Sequence, residues 1–330
     1  MRALALAVAA LCLAGGGVTR AEPARIRVPA GYRVSVFAHA LTHPTAMGWG
    51  PGGRLFVTED VGRLVEIVGG RPRVVASGLR TPLGLAGWRD SVFLSEAGRL
   101  ERLRIGHGSV VSRRVLVAGL PYGLHQQDNI VVGRDGRLYF GSGSTCDACV
   151  EHDRRSAAIL SMRMDGSSLR VVATGLRNPY GLAFQPRTQR LFASVNGRDK
   201  LGASEPAEMV VRIQNGARYG WPDCWPSWRS RRLVGSCRGV TRPIAYLEPH
   251  SSADGIAFWR GGLYVAEWGE YYRARHGRHV VRITLGREGK ARRVETFADG
   301  FDHPLALLPA KHGLLVADWG RGVIYRISHR

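Results

Sequence analysis

One pattern returns six times along this chain. It is a turn with Pro or a small residue, a short apolar strand with Gly, a Gly-centred turn, a second strand, a Gly-Arg or similar turn, and a third strand. Repetition on this scale limits the fold more than any single motif, because each unit can bury its apolar face only against its neighbours. The copies fall at 43–68, 81–105, 125–144 (continuing at AAILSMRMDG), 178–197 (continuing at AEMVVRI), 253–269 (continuing at HVVRITL) and 303–328. Fourth strands follow several copies, at RVVASGL, RRVLVAGL, RVVATGL and RVETFADGF. Four-stranded repeats bounded by Gly, Pro and Asp turns are propeller blades. No stretch shows sustained helical periodicity with caps. The sixth copy stops one strand short, and YRVSVFA at 32–38 alternates as the missing outer strand would. The expected fold is therefore all-β, a six-bladed β-propeller closed by an N-terminal strand joining the last blade. Closure removes exposed sheet edges.

The first residues read differently. Arg2 precedes an apolar run from Ala3 to Leu13 that is too short to span a bilayer, and small residues Thr19 and Ala21 suit cleavage before Glu22. Residues 1–21 are thus expected to be a signal peptide, with 22–330 a single propeller domain and a periplasmic or secreted location. No other apolar run is long enough to cross a membrane. Beyond Cys12 four cysteines remain, and an even number in an exported chain favours disulfides. The expected bridges are Cys146–Cys149 and Cys224–Cys237, with a four-cysteine zinc site as the competing arrangement. A net charge of +21 raises the question of nucleic acid. The basic residues are dispersed, however, and no nucleic-acid motif is present, so a solvated basic surface is the reading.

Propellers host many functions, so chemistry must come from residues facing the axial channel. Those lie at inner-strand starts and in loops between blades. His125 opens the third copy and could act as a general base near neutral pH. Gln126, Gln127, Asp128 and Asn129 follow it, an unusually polar start to an inner strand. Arg177-Asn178 open the fourth copy, where the turn itself needs only Pro179 and Gly181. An arginine there can grip carboxylates in a planar fork. NGRD at 196–199 offers oxygen ligands for a hard cation. Two insertions interrupt the repeat, at 145–156 and at 219–250; long loops of this kind are often functional.

In order along the chain, HQQDNIVVGRDGRLYFGSGS, CDACVE, AAILSMRMDGS, TGLRNPYGLAF, NGRD and YGWPDCW resemble the sorbosone dehydrogenase group, relatives of the soluble glucose (aldose sugar) dehydrogenases that use pyrroloquinoline quinone (PQQ). The resemblance is dense over 118–260. It implies a six-bladed propeller with PQQ and Ca2+ over the channel, His125 as catalytic base, and Arg177 and Asn178 against the quinone oxygens. It places calcium at the backbone of Gly197 and Arg198, with Glu208 and Tyr219 near further calcium positions. The group commonly carries Lys where this chain has His279. Arg273, Arg275 and Arg278 are the available replacement cations, and Arg278, beside His279, is expected to bind the cofactor.

The resulting expectation is hydride transfer from a sugar or sugar aldehyde to PQQ, with electrons leaving to a cytochrome or quinone acceptor. Two other classes compete. One is a non-catalytic propeller that binds protein or glycan. The other is a calcium-dependent lactonase, which needs several carboxylates converging on the metal; acidic blade starts here are few, chiefly Asp128 and Asp254.

Overall fold

In the computed structural model, which describes residues 26–330 apart from 271–274 and 288, each repeat is a four-stranded antiparallel sheet. Residues 1–21 and Arg273 therefore lie outside the described residues. Blade 1 comprises Pro44–Trp49, Leu55–Glu59, Arg63–Val68 and Arg71–Ala76, and blade 2 Gly84–Trp88, Ser91–Glu96, Arg99–Gly106 and Ser109–Ala118. Blade 3 comprises Gln127–Val132, Arg137–Ser142, Ala158–Arg163 and Arg170–Thr174. Blade 5 follows the same plan with Ala253–Trp259, Gly262–Glu267, His279–Leu285 and Ala291–Asp299. Blade 6 takes Pro304–Ala310, Gly313–Asp318 and Val323–His329 from the end of the chain and Tyr32–Ala38 from its start. The register of that closing pair runs from Tyr32 opposite His329 to Ala38 opposite Ile324.

Blade 4 departs from the sequence reading. Its first three strands are Leu182–Phe184, Leu191–Val195 and Ala207–Arg212. Its outer strand, Ala245–Pro249, lies inside the 219–250 segment that the repeat pattern assigns to an insertion. The pattern misses it because a further hairpin, Cys224–Pro226 with Leu233–Gly235, intervenes before the strand that completes the sheet.

The core is a ring of six apolar layers, each between adjacent blades. Leu55–Glu59, Ser91–Glu96, Gly262–Glu267 and Gly313–Asp318 are buried along their whole length, as second strands sandwiched on both faces must be. Near the axis the inner strands approach closely. A Cβ on Gly84 would lie 2.3 Å from the Asp128 carbonyl oxygen, and one on Gly181 would lie 2.2 Å from that of Asp254. Hydroxyls complete these joints, with Ser95 Oγ donating to the Asp128 carbonyl and Ser194 Oγ to that of Asp254.

A carboxylate ends the second strand in four blades, and three use it alike. Glu59 accepts Thr42 N at 2.6 Å and Arg63 Nε at 2.7 Å. Glu96 accepts Arg80 N at 2.5 Å and Arg99 Nη2 at 3.1 Å. Asp318 accepts Asp302 N and His303 N, both at 2.9 Å, and Arg321 Nη1 at 3.1 Å. Each carboxylate thus ties its blade to the loop that enters it, and an arginine balances its charge. Glu267 of blade 5 is the fourth.

Candidate active site

A cavity of about 730 Å³ opens at the axis and lies within the size range of small-molecule sites. His125, ahead of blade 3, lines it together with Arg177, Asn178 and Gly197 of blade 4. Tyr180, Asn196, Asp199, Glu208, Asp254, Trp268 and Glu270 share the wall.

His125 stands just ahead of the inner strand of blade 3. Its Nδ1 lies 3.2 Å from the Ser144 carbonyl and 3.1 Å from Ser144 Oγ. Ser144 Oγ spends its own proton on the Cys146 carbonyl at 2.6 Å. Both atoms near Nδ1 therefore act as acceptors, so Nδ1 carries the ring proton and Nε2 keeps the lone pair. Burial, and then the Arg177 guanidinium, lower the pKa of His125 to about 3. The imidazole is consequently neutral throughout the physiological range. Gly143 makes the room beside it: a Cβ there would lie 2.3 Å from His125 Cβ and 2.9 Å from Asn178 Oδ1.

Arg177 is 4% exposed and fixed from two sides. Nη2 sits 3.0 Å from Asp147 Oδ1 and 2.6 Å from Asp199 Oδ2, and Nε donates to the Asp147 carbonyl at 3.3 Å. Asp147 belongs to the loop closed by the Cys146–Cys149 disulfide, and Trp221 Nε1 donates to its carbonyl at 3.0 Å. The second disulfide, Cys224–Cys237, staples the segment that carries Trp221. Both disulfide-bearing insertions thus converge behind one arginine, and the bridges leave no free thiol for the four-cysteine zinc arrangement.

Acidic groups dominate the rest of the wall. Glu208 and Asp254 are buried, and burial raises each pKa to about 8. The opposing pulls, from Gly197 N on Glu208 and from Asn196 on Asp254, are weaker than burial. Asn196 Nδ2 reaches Asp254 Oδ1 at 2.9 Å. Beneath them Asp128 is fully enclosed, and burial followed by the charge of Asp254 raises its pKa well above the usual carboxylate range. Asp128 Oδ2, Asn178 Oδ1, Tyr180 Oη and Asn196 Oδ1 are buried without hydrogen-bond partners. Buried orphan acceptors in a cavity wall are costly unless a ligand or ion satisfies them.

These residues test the fit of the expected cofactor pair. PQQ carries three carboxylates, while Arg177 already serves two aspartates. The cavity therefore does not match the quinone alone. With a divalent cation added it does, because Glu208, Asp254 and the orphan amide oxygens are hard oxygen donors. The Arg198 side chain, which the expected backbone coordination does not use, lies with its guanidinium over the Trp225 ring and 3.5 Å from the Pro222 carbonyl. Arg278 also stands off the described cavity wall, with Nη1 3.7 Å from Asp302. Tyr219 is buried in the core between blades 3 and 4, with its hydroxyl donating to the Arg212 carbonyl.

Of the two residues the resemblance placed near further calcium positions, Glu208 is on the cavity wall and Tyr219 is not, while Glu270, Trp268 and the Asp147–Arg177–Asp199 bracket were not anticipated. Asp128, Tyr180 and Asp254 occupy the same place in their repeats, just before the inner-strand Asn or Gly, and the charges of both aspartates act on Tyr180.

A family model for glucose/sorbosone dehydrogenases matches residues 97–305. The holo PQQ domain of pyranose dehydrogenase from Coprinopsis cinerea superposes with a TM-score of 0.80 at 19% identity, covering 92% of this chain and 97% of that one. A putative oxidoreductase (glucose dehydrogenase) from Thermus thermophilus is 26% identical, with a TM-score of 0.73 and coverage of 90% and 100%. PQQ-bound aldose sugar dehydrogenase from Streptomyces coelicolor is 24% identical, with a TM-score of 0.74 and coverage of 92% and 100%. An uncharacterized protein of Borreliella burgdorferi is 23% identical over 310 residues, spanning 84% of this chain and 81% of that one.

Proposed function

The chain belongs to the glucose/sorbosone dehydrogenase family, and from that premise we propose that it oxidises a sugar or sugar aldehyde using PQQ and calcium in the axial cavity. The observation that carries this reading is the tautomer of His125, with Nδ1 committed to Ser144 and Nε2 left as an acceptor on the cavity wall beside Arg177 and Asn178. When bound, PQQ supplies a two-electron acceptor for the substrate hydride, and calcium supplies Lewis acidity. His125 Nε2 takes the proton of the hydroxyl on the carbon being oxidised, the anomeric hydroxyl of an aldose or one hydroxyl of a hydrated aldehyde. Ser144 accepts from Nδ1 throughout and so holds the ring in one orientation. Arg177, braced by Asp147 and Asp199, presents a fixed cation to anionic oxygen. Asn178 offers its side-chain amide beside it. Residues 1–21 act in this reading as an export signal, placing the enzyme in the periplasm or outside the cell. A cytochrome or quinone is the electron acceptor.

The test adds PQQ and calcium to apo-protein and follows visible absorbance and dye reduction with a panel of aldoses, sugar aldehydes and lactones. PQQ-dependent dye reduction with an aldose or sugar aldehyde is the expected result. A second reading has one observation in its favour. Asp199, Glu208, Asp254 and Glu270 bring more carboxylates to the wall than the blade starts alone suggested, as a calcium-dependent lactonase requires. Lactone hydrolysis without PQQ, and no dye reduction, would move the assignment there. Turnover of neither kind would leave a binding propeller.

Arg177→Lys separates a cofactor contact from a structural one. Losing the fork removes charge-assisted bonds worth about 1.5–3 kcal/mol, so PQQ affinity should fall roughly 10- to 100-fold. A PQQ titration by absorbance that gives an affinity within twofold of wild type removes Arg177 from the cofactor site.

A further inference from the structure

Blade 5 breaks the carboxylate rule that blades 1, 2 and 6 keep. In strand register His279 stands opposite Glu267, where Arg63 stands opposite Glu59 and Arg99 opposite Glu96. The entering-loop N–H is missing as well, because Ser251 N and Ser251 Oγ are directed to the Glu248 carbonyl at 3.4 and 2.9 Å. In place of both donors comes a second acid, Glu248 from the outer strand of blade 4. His279 Nε2 hydrogen-bonds Glu267 Oε2. Glu267 Oε1, on a side chain 1% exposed, accepts no hydrogen bond within 3.5 Å, and the Ser251 hydroxyl near it, which lowers the Glu267 pKa, is directed to the Glu248 carbonyl. Ligand atoms of Glu248, Glu267 and His279 all lie within 4.8 Å of one another. They face a crevice of about 300 Å³ between blades 4 and 5, separate from the axial cavity. Arg231, which also lines this crevice, lies over the Trp228 ring with 3.4 Å from Cζ to the ring centroid, and donates to the Tyr246 carbonyl.

We infer that Glu248, Glu267 and His279 form a binding site for a divalent transition metal of the zinc class. The internal repeats supply the control. Where the sister blades place a fixed guanidinium and a backbone donor against the buried carboxylate, this blade places an imidazole and a second carboxylate. Those are ligands that a cation gathers and that otherwise leave an acceptor orphaned. One imidazole with two carboxylates suits zinc-class ions, whereas calcium and magnesium prefer all-oxygen shells. Glu248 is already aimed, with His276 Nδ1 2.9 Å from Oε1 and Gly277 N 3.0 Å from Oε2. A bound metal displaces the proton shared by His279 Nε2 and Glu267. It also joins blade 4 to blade 5 at both ends of the segment that contributes Trp268 and Glu270 to the axial cavity.

The test uses the full chain with disulfides intact, stripped of metal and then held in excess calcium so that oxygen-only sites are filled. Titration with zinc by calorimetry, with elemental analysis, should show about one tightly bound zinc per chain. His279→Arg restores the residue of the sister blades and should fold with unchanged or higher stability in the absence of zinc. It should weaken zinc binding roughly 100-fold, and Glu248→Gln should weaken it at least about tenfold. If wild type binds no zinc saturably under calcium, or if both variants bind it as tightly as wild type, the cluster is a histidine–glutamate ion pair only and the inference fails. Should His279→Arg misfold, Glu248→Gln alone decides between these outcomes.

Discussion

Replacing His125 with alanine should lower turnover about 100- to 10,000-fold, or roughly 3–5 kcal/mol of barrier, while PQQ still binds. The variant removes the lone pair that receives the substrate proton and leaves Arg177, Asp147 and Asp199 untouched. Cofactor affinity, read by absorbance, should therefore change little. The pH dependence adds a second mark. Because burial and Arg177 depress the imidazole pKa to about 3, the His125 ring of the cofactor-free protein should show no NMR titration near 6.5. Near-wild-type PQQ-dependent turnover by His125→Ala at neutral pH would make the histidine structural and the proposed chemistry wrong.

Exhaustive chelation should abolish dye reduction, and calcium should restore it. The cavity wall holds Glu208 and Asp254 as protonated acids up to about pH 8, against ordinary values of 4.5 and 3.8. Between pH 5 and 8 the folded, calcium-free protein thus binds more protons than the unfolded chain at these two groups. Their contribution to stability is complete at low pH and declines as pH rises through that window. Calcium favours the ionised forms and reverses the trend. The rise in melting temperature on adding calcium should accordingly be larger at pH 8 than at pH 5, by several degrees. Activity and melting that ignore chelation would remove Gly197 and Arg198, together with the acids beside them, from any metal site.

The blade count was legible because each turn needs Gly, Pro or Asp and each strand alternates, so the period survives in the letters. The closing strand was legible for the same reason. The outer strand of blade 4 was not, because the hairpin between Cys224 and Gly235 interrupts the spacing on which the pattern depends. His125, Arg177 and Asn178 could be picked out as polar residues at blade starts, where the turn does not require them. Their partners could not. Asp147 reaches Arg177 across a disulfide loop, a meeting that depends on how blades 3 and 4 stack. Arg278 was picked on its sequence position alone; its Nη1 lies 3.7 Å from Asp302, while its neighbour His279 lines the crevice between blades.

The pairing of Tyr32–Ala38 with Val323–His329 has a kinetic side. The two partners stand almost the whole chain apart, so the ring shuts only after every intervening blade exists. Loop-closure entropy grows slowly with length, so thermodynamics tolerates this separation far better than folding speed does. Until the last strand is made, blade 6 lacks its third strand and Tyr32–Ala38 has no partner to pair with. The latch is therefore a late-forming joint: without either partner strand, blade 6 keeps a bare edge and the two remote segments lose the hydrogen bonds that tie them together.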